Sequence, residues 1–262
     1  MIESGFLQVD GVRLEARWIG PPPSAAPTLV FLHEGLGSAS LWRDFPDRLA
    51  GETGCGALVY SRAGYGKSDP VPLPRPIRFM HDEAAILPRV LAAAGVRDSL
   101  LVGHSDGASI SLIHAGLVHA GGDPPHLLGL ILEAPHVFTE PHGLASIARI
   151  REAYRDTGLR ERLARHHGAN VDVAFRGWND VWLDPAFAAW NLEEFLPAIR
   201  APILVLQGED DEYGTWAQVE AIQRQSGGPV TALAIPECGH SPHREQRERV
   251  LAAMAGFVAA LR

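Results

Sequence analysis

From residue 28 onward, six apolar runs of strand length, at 28–32, 56–60, 99–103, 127–132, 203–207 and 230–235, alternate with stretches whose apolar residues recur at helical spacing. Parallel strands need a crossover between them, and a helix is the usual one, so this alternation implies a parallel sheet. The runs are almost wholly apolar, which means burial on both faces and therefore helices on both sides. The helical stretches lie at 41–50, 79–94, 108–120, 216–225 and 244–261. Ahead of them, Asp10-Gly11 separates apolar segments at 6–9 and 12–19, the arrangement of a tight antiparallel hairpin, and Pro21-Pro22-Pro23 closes that unit. Together these give a mostly parallel sheet of eight strands.

The alternation breaks between residues 135 and 196, where helical patterns carry several tryptophans and no strand is evident. An unstructured loop of that length is improbable in a compact domain, so the segment is expected to be a helical cap. The core domain then comprises 1–134 and 197–262, and at 262 residues with 46% hydrophobic content the chain is long enough to bury it. A net charge of −8, without a basic stripe, argues against a nucleic-acid partner. The segment Met1-Ile2-Glu3-Ser4-Gly5 lacks the basic, apolar start of a leader, and no apolar run reaches membrane-spanning length. A cytoplasmic location without a membrane partner is the expectation, with Cys55 and Cys238 as reduced thiols.

The chemistry centres on Gly103-His104-Ser105-Asp106-Gly107, which follows an apolar run and precedes a helical one. A serine between two glycines at a strand-to-helix turn is the nucleophile-elbow pattern: the sharp turn holds the hydroxyl outward in a strained backbone conformation. A serine needs a base oriented by a third group. Glu209-Asp210-Asp211-Glu212 follows one late apolar run, and Glu237-Cys238-Gly239-His240 follows the last. The carboxyl ends of parallel strands are where such residues would converge on the elbow.

These motifs, with His33-Glu34-Gly35-Leu36-Gly37 and Ser61-Arg62-Ala63-Gly64-Tyr65-Gly66-Lys67-Ser68, resemble the α/β-hydrolase fold superfamily over essentially the whole chain. The resemblance implies an α/β-hydrolase fold, Ser105 as nucleophile and His240 as base. Its Gly-x-x-Asp spacing selects Asp211 as the orienting acid, with Asp210 and Glu133 as rivals. His243 is read as an exposed neighbour of His240. The backbone amides of Asp106 and Gly35 are the expected oxyanion donors, those of Glu34 and Leu36 being alternatives to Gly35.

Glu34 departs from the family pattern, which ordinarily has glycine there. Its carboxylate is read as a contact to a cationic or hydroxyl-bearing substrate group, as the group that orients a catalytic water, or as a local salt bridge to Arg62. With Asp106 it would repel strongly anionic substrates unless one of the two is protonated or paired. His136, Trp178, Trp182 and Trp190 are candidates to line a substrate pocket, although tryptophans at helical spacing are also common core residues. No pair of histidines has a metal-ligand spacing, and Gly64-Tyr65-Gly66-Lys67-Ser68 lacks the full phosphate-loop pattern, so no metal, nucleotide or other cofactor is expected. The reading is a cofactor-independent serine hydrolase of a small or medium ester or lactone, working through an acyl-enzyme. An aminopeptidase, amidase or carbon–carbon bond hydrolase of the same fold is the alternative among enzymes, and a small-molecule receptor the alternative outside them. A homodimer through a cap face or edge strand is left open.

Overall fold

The structure is a computed structural model that describes residues 2–120 and 126–261, with side chains from residue 4 onward. The outermost residues of the expected core segments, Met1 and Arg262, and the stretch 121–125 lie outside the described residues. The chain opens with β1 (Ile2–Val9) and β2 (Val12–Ile19), paired antiparallel. Asp10 and Gly11 form the turn between them with φ of 51° and 80°, the two left-handed residues that such a hairpin requires. There follow β3 (Thr28–Leu32), β4 (Gly56–Tyr60), β5 (Ser99–His104), β6 (Leu127–Glu133), β7 (Ile203–Gly208) and β8 (Val230–Ile235). They form one sheet in the order β1-β2-β4-β3-β5-β6-β7-β8, parallel from β4 to β8.

Successive side chains of a strand point to opposite faces, and the core divides accordingly. Val30, Leu32, Leu101, Leu130 and Val205 join one buried cluster, while Leu29, Phe31, Val102, Ile131 and Leu204 join the other. Helices α2 (Phe79–Ala93) and α3 (Asp106–Ala120) cover the first face, and α1 (Phe45–Thr53) and the C-terminal helix the second. The strand β8 departs from the expected burial. It lies at the sheet edge with one neighbour, so its residues from Val230 to Ala234 alternate between partly buried and exposed, and its last, Ile235, is buried.

Two helical stretches are interrupted where the sequence pattern is continuous. The segment expected at 41–50 is a 3-10 turn over Ala39–Trp42 followed by α1, with Pro46 in the first turn of α1, a position where a missing N–H costs no hydrogen bond. Between β6 and β7 the chain forms α4 (Pro141–Asp156), α5 (Leu159–His167) and α6 (Val171–Trp182), with shorter 3-10 turns, and the one strand-like contact is an isolated bridge between Phe138 and Asn191. After these come α7 (Trp216–Gln225), α8 (Pro242–Glu245) and α9 (Arg247–Ala260), the last two separated at Gln246, which has φ −125° and ψ 48°. No helix among the described residues is long and apolar enough to cross a membrane.

Chain direction across the sheet reverses at β3. The chain steps to β4 on one side and returns to β5 on the other, so the loops leaving β3 and β5 diverge and open a crevice. Gly107 sets the depth of that crevice. A Cβ there would lie 2.0 Å from the Leu32 carbonyl oxygen, backbone against backbone, so only glycine lets the start of α3 approach β3. Gly107→Ala is therefore expected to lower stability by about 3 kcal/mol, seen as an earlier urea unfolding midpoint. An unchanged midpoint would mean that the helix can shift at no cost.

Candidate active site

Strand β5 ends at His104 and α3 begins at Asp106, which leaves Ser105 alone to make the turn. It does so with φ 53°, a left-handed conformation unfavourable for a residue with a side chain. The turn is held from both sides: the Ser105 N–H donates to the Glu133 carbonyl (2.9 Å), and the Ser105 carbonyl accepts from the amides of Ala108 (2.9 Å) and Ser109 (3.0 Å). Its Oγ lies 2.9 Å from His240 Nε2. His240 Nδ1 in turn faces both oxygens of Asp211, at 2.9 and 3.0 Å. Because a carboxylate only accepts, Nδ1 carries the proton and Nε2 is left to accept from the serine.

Asp211 is oriented by three further donors. Gln207 Nε2 reaches its Oδ2 at 2.7 Å, and the amides of Tyr213 and Gly214 reach its Oδ1 at 2.8 and 3.3 Å. Burial alone would raise its pKa, but the charge and hydrogen bond of His240, with the Tyr213 amide, outweigh burial and hold it at about 2. The two rival acids lie elsewhere. Asp210 is exposed, and Glu133 is fully buried with its Oε2 2.7 Å from Nδ1 of His243. His243 is thus not the exposed neighbour expected. The sequence around it is polar, but the partner that draws it inward comes from β6.

On the other side of Ser105, the loop after β3 has one peptide pinned in orientation. The carbonyl of Glu34 accepts from His33 Nδ1 (2.7 Å), the Gly37 amide (3.0 Å) and Arg62 Nη2 (3.1 Å). His33 is neutral, since burial and then the Arg62 charge push its pKa well down, and its Nε2 accepts from the Arg62 amide at 3.1 Å. In a planar trans peptide the N–H points opposite the C=O, so anchoring this carbonyl turns the Gly35 N–H to the other side. A Cβ on Gly35 would stand 2.1 Å from Trp178 Cδ1, so the residue must be glycine beneath that indole. The Asp106 amide, at the first position of α3, has no partner within its helix.

These groups meet at a cavity of about 220 Å³, lined among others by Glu34, Gly35, Ser105, His136, Trp178, Trp182, Tyr213 and His240. His136 faces this cavity as a neutral imidazole, its pKa lowered to about 4 chiefly by burial and then by the charge of His240. Trp190 does not reach the wall. It stacks on Phe187, with ring centroids 5.2 Å apart, behind Trp182. The Asp106 carboxylate is also withdrawn: it is fully buried, accepts from Trp182 Nε1 at 3.1 Å, and has its pKa raised by burial.

Glu34 stays at the wall, but its charged partner is His104, with Nδ1 3.5 Å from Oε2, and not Arg62. In the sequence His104 is one letter of the elbow, and no local pattern marks its pairing. His104, Glu133 and His243 bring donor atoms within 4.8 Å of one another, the described set nearest to a metal-binding arrangement. The 2.7 Å contact between Glu133 and His243 is a hydrogen bond, and the set is a buried polar network.

Known proteins share this architecture. The 2-succinyl-6-hydroxy-2,4-cyclohexadiene-1-carboxylate synthase of Salmonella paratyphi B is 25% identical over 238 residues, 88% of this chain and 83% of the relative. Among solved structures, an esterase from Exiguobacterium antarcticum superposes with a TM-score of 0.74 at 21% identity, covering 98% of this chain and all of that one. A thermophilic esterase from Thermogutta terrifontis gives 0.74 at 20% identity, with 99% of both chains covered. At these identities the structural likeness carries the fold. A model of the Alpha/beta hydrolase family matches residues 29–253, and with the eight-stranded sheet and its elbow this places the chain in the alpha/beta hydrolase family.

Proposed function

We propose that the protein is a serine hydrolase of small esters or lactones. The observation that supports this most is the run of 2.9 Å contacts from Ser105 through His240 to Asp211, opening on the cavity. In this reading His240 takes the Ser105 proton as Oγ attacks the carbonyl carbon, and Asp211 stabilises the imidazolium that forms. The amides of Asp106 and Gly35 receive the charge that develops on the carbonyl oxygen. His240 returns the proton to the leaving alcohol. Water, activated by the same histidine, then releases the acyl group. The reaction draws only on side chains, backbone amides and water.

Size and charge narrow the substrate. A cavity of about 220 Å³ is below the range of about 300–1,000 Å³ usual for drug-sized ligands, which favours short acyl and alcohol groups. Among the described residues its wall includes the carboxylates of Glu34, Glu212 and Glu245 and no lysine or arginine, and the histidine His104 pairs with Glu34. A carboxylate product like that in the Salmonella relative's name would bring its charge toward Glu212 and Glu245. Amino-acyl esters and amides, which carry a positive charge, form the second reading on the strength of the same carboxylates.

The test is turnover of short-chain and long-chain esters, lactones, amino-acyl amides and dienone acids, each beside a Ser105→Ala control. Short esters or lactones should exceed the control and long-chain esters should not. If nothing exceeds it, the reading fails. Within the panel, a half-ester bearing a carboxylate should show kcat/KM about ten-fold below its neutral isostere at low salt, the gap narrowing as salt screens it. Equal rates would mean that the wall carboxylates do not act on substrate.

A further inference from the structure

We propose that His104 is a positioning residue that clamps the loop bearing Gly35 and the loop bearing His240 to the nucleophile turn. The inference rests on the serine-hydrolase reading above. His104 immediately precedes Ser105 and is almost fully buried, at 1% exposure. Its Nε2 donates to the main-chain carbonyl of His240 at 2.6 Å, while its Nδ1 forms the 3.5 Å ion pair with Glu34, the residue next to Gly35. One side chain therefore touches three of the four segments that the proposed chemistry brings together, the loop of Asp211 being the fourth.

Nε2 faces a carbonyl oxygen, which only accepts, so that nitrogen carries a proton. Nδ1 makes no hydrogen bond, and the group beside it is the Glu34 carboxylate 3.5 Å away, which favours the imidazolium form. Burial opposes that charge, but the nearby Glu34 carboxylate, followed by the charge of Glu133, raises the His104 pKa to about 9. In return the pair keeps Glu34 ionised, its pKa held well below the usual carboxylate range against the opposing effect of burial. Breaking such a pair from one side leaves a buried charge unmatched. The titratable groups that face His104 are Glu34 on the loop after β3, Glu133 at the end of β6, His136 beyond β6, and His240 and His243, whose rings each lie 5.2 Å away.

The clamp gives the Glu34 carboxylate a structural role beside Gly35. It also makes a demand on pH. The raised pKa means that the clamp is intact below the ordinary histidine pKa and is lost as pH rises through about 9.

The experiment is the pH profile of kcat and KM for one short neutral ester with the wild-type protein, Glu34→Gln and His104→Gln, with Ser105→Ala as control. The wild type should lose kcat on an alkaline limb near pH 9. In Glu34→Gln that limb should move to lower pH, because the carboxylate that holds the proton is gone. His104→Gln keeps a donor but cannot ionise. It should show no limb and a kcat lower by about ten- to a hundred-fold, with KM little changed, the signature of misplaced reacting groups. If His104→Gln does not fold, the shift in Glu34→Gln decides alone. A wild-type profile without the limb, a limb unmoved in Glu34→Gln, or full kcat in His104→Gln overturns the clamp. Loss of turnover in Ser105→Ala alongside any of these leaves the serine-hydrolase reading standing, whereas turnover retained in Ser105→Ala removes that reading by itself.

Discussion

Ser105→Ala is expected to lower kcat toward a short ester by on the order of a million-fold, while the urea unfolding midpoint stays within about 0.5 kcal/mol of the wild type. The size of the kinetic effect follows from the proposed role of Ser105 as nucleophile in a unit: without Oγ, His240 as proton acceptor and Asp211 as its partner would have no covalent step to assist. The amides of Asp106 and Gly35 would still polarise a bound carbonyl, which leaves residual catalysis over water of about a thousand- to ten-thousand-fold. The small thermodynamic effect follows from the backbone. Ser105 adopts φ 53°, and alanine carries the same Cβ into the same strained conformation, so the mutation neither relieves nor adds strain. Single-turnover kinetics beside urea titration would separate the two. A loss of activity matched by a loss of stability would point to a collapsed turn and would remove the case for Ser105 as nucleophile.

Much of this arrangement could be read from the sequence because it is encoded locally. The alternation of apolar runs and helical stretches is a property of neighbouring residues, and it gave the sheet, its parallel sense and its two covered faces. The elbow is equally local as a motif, a serine between two glycines at a strand-to-helix turn, although the contact that demands Gly107 comes from the Leu32 backbone on β3. Breaks within helices were less visible. Arg43-Asp44 and Gln246 divide stretches whose apolar spacing runs on without interruption.

What the sequence withheld depends on partners brought together by the fold. His243 sits among charged residues in the chain and reads as solvent-facing, yet Glu133 from β6 draws it into the interior. Glu34 has an arginine available on a neighbouring loop, but Arg62 is spent on the Glu34 carbonyl and on His33, which leaves the carboxylate to His104. Trp178, Trp182 and Trp190 look alike in sequence. The packing of Phe187 against Trp190 decides which of them faces the cavity and which does not.

Asp211→Asn isolates what the acid contributes, and it should lower kcat at neutral pH by about ten-thousand-fold. His240 Nδ1 lies within 3.0 Å of both carboxylate oxygens, so an amide placed there sets an N–H against Nδ1 in one orientation and only a neutral oxygen in the other. In the first case the proton moves to Nε2, which can then no longer accept from Ser105. In the second the tautomer survives, but the imidazolium formed during attack loses its counter-charge. The same substitution has a thermodynamic signature whose sign is fixed by the depressed pKa. Asp211 ionises at about 2 in the folded protein against a usual 3.8, so its ionised form contributes about 2 kcal/mol of stability, fully present above the usual value and lost as pH falls through the folded one. Asparagine cannot titrate. The stability gap between wild type and variant should therefore be constant from neutral pH down to about 4, then shrink toward pH 2 as the wild type alone loses its advantage. Urea midpoints across that range read the gap directly, and a gap that does not change with pH would mean that the Asp211 charge is not held by His240 in the folded state.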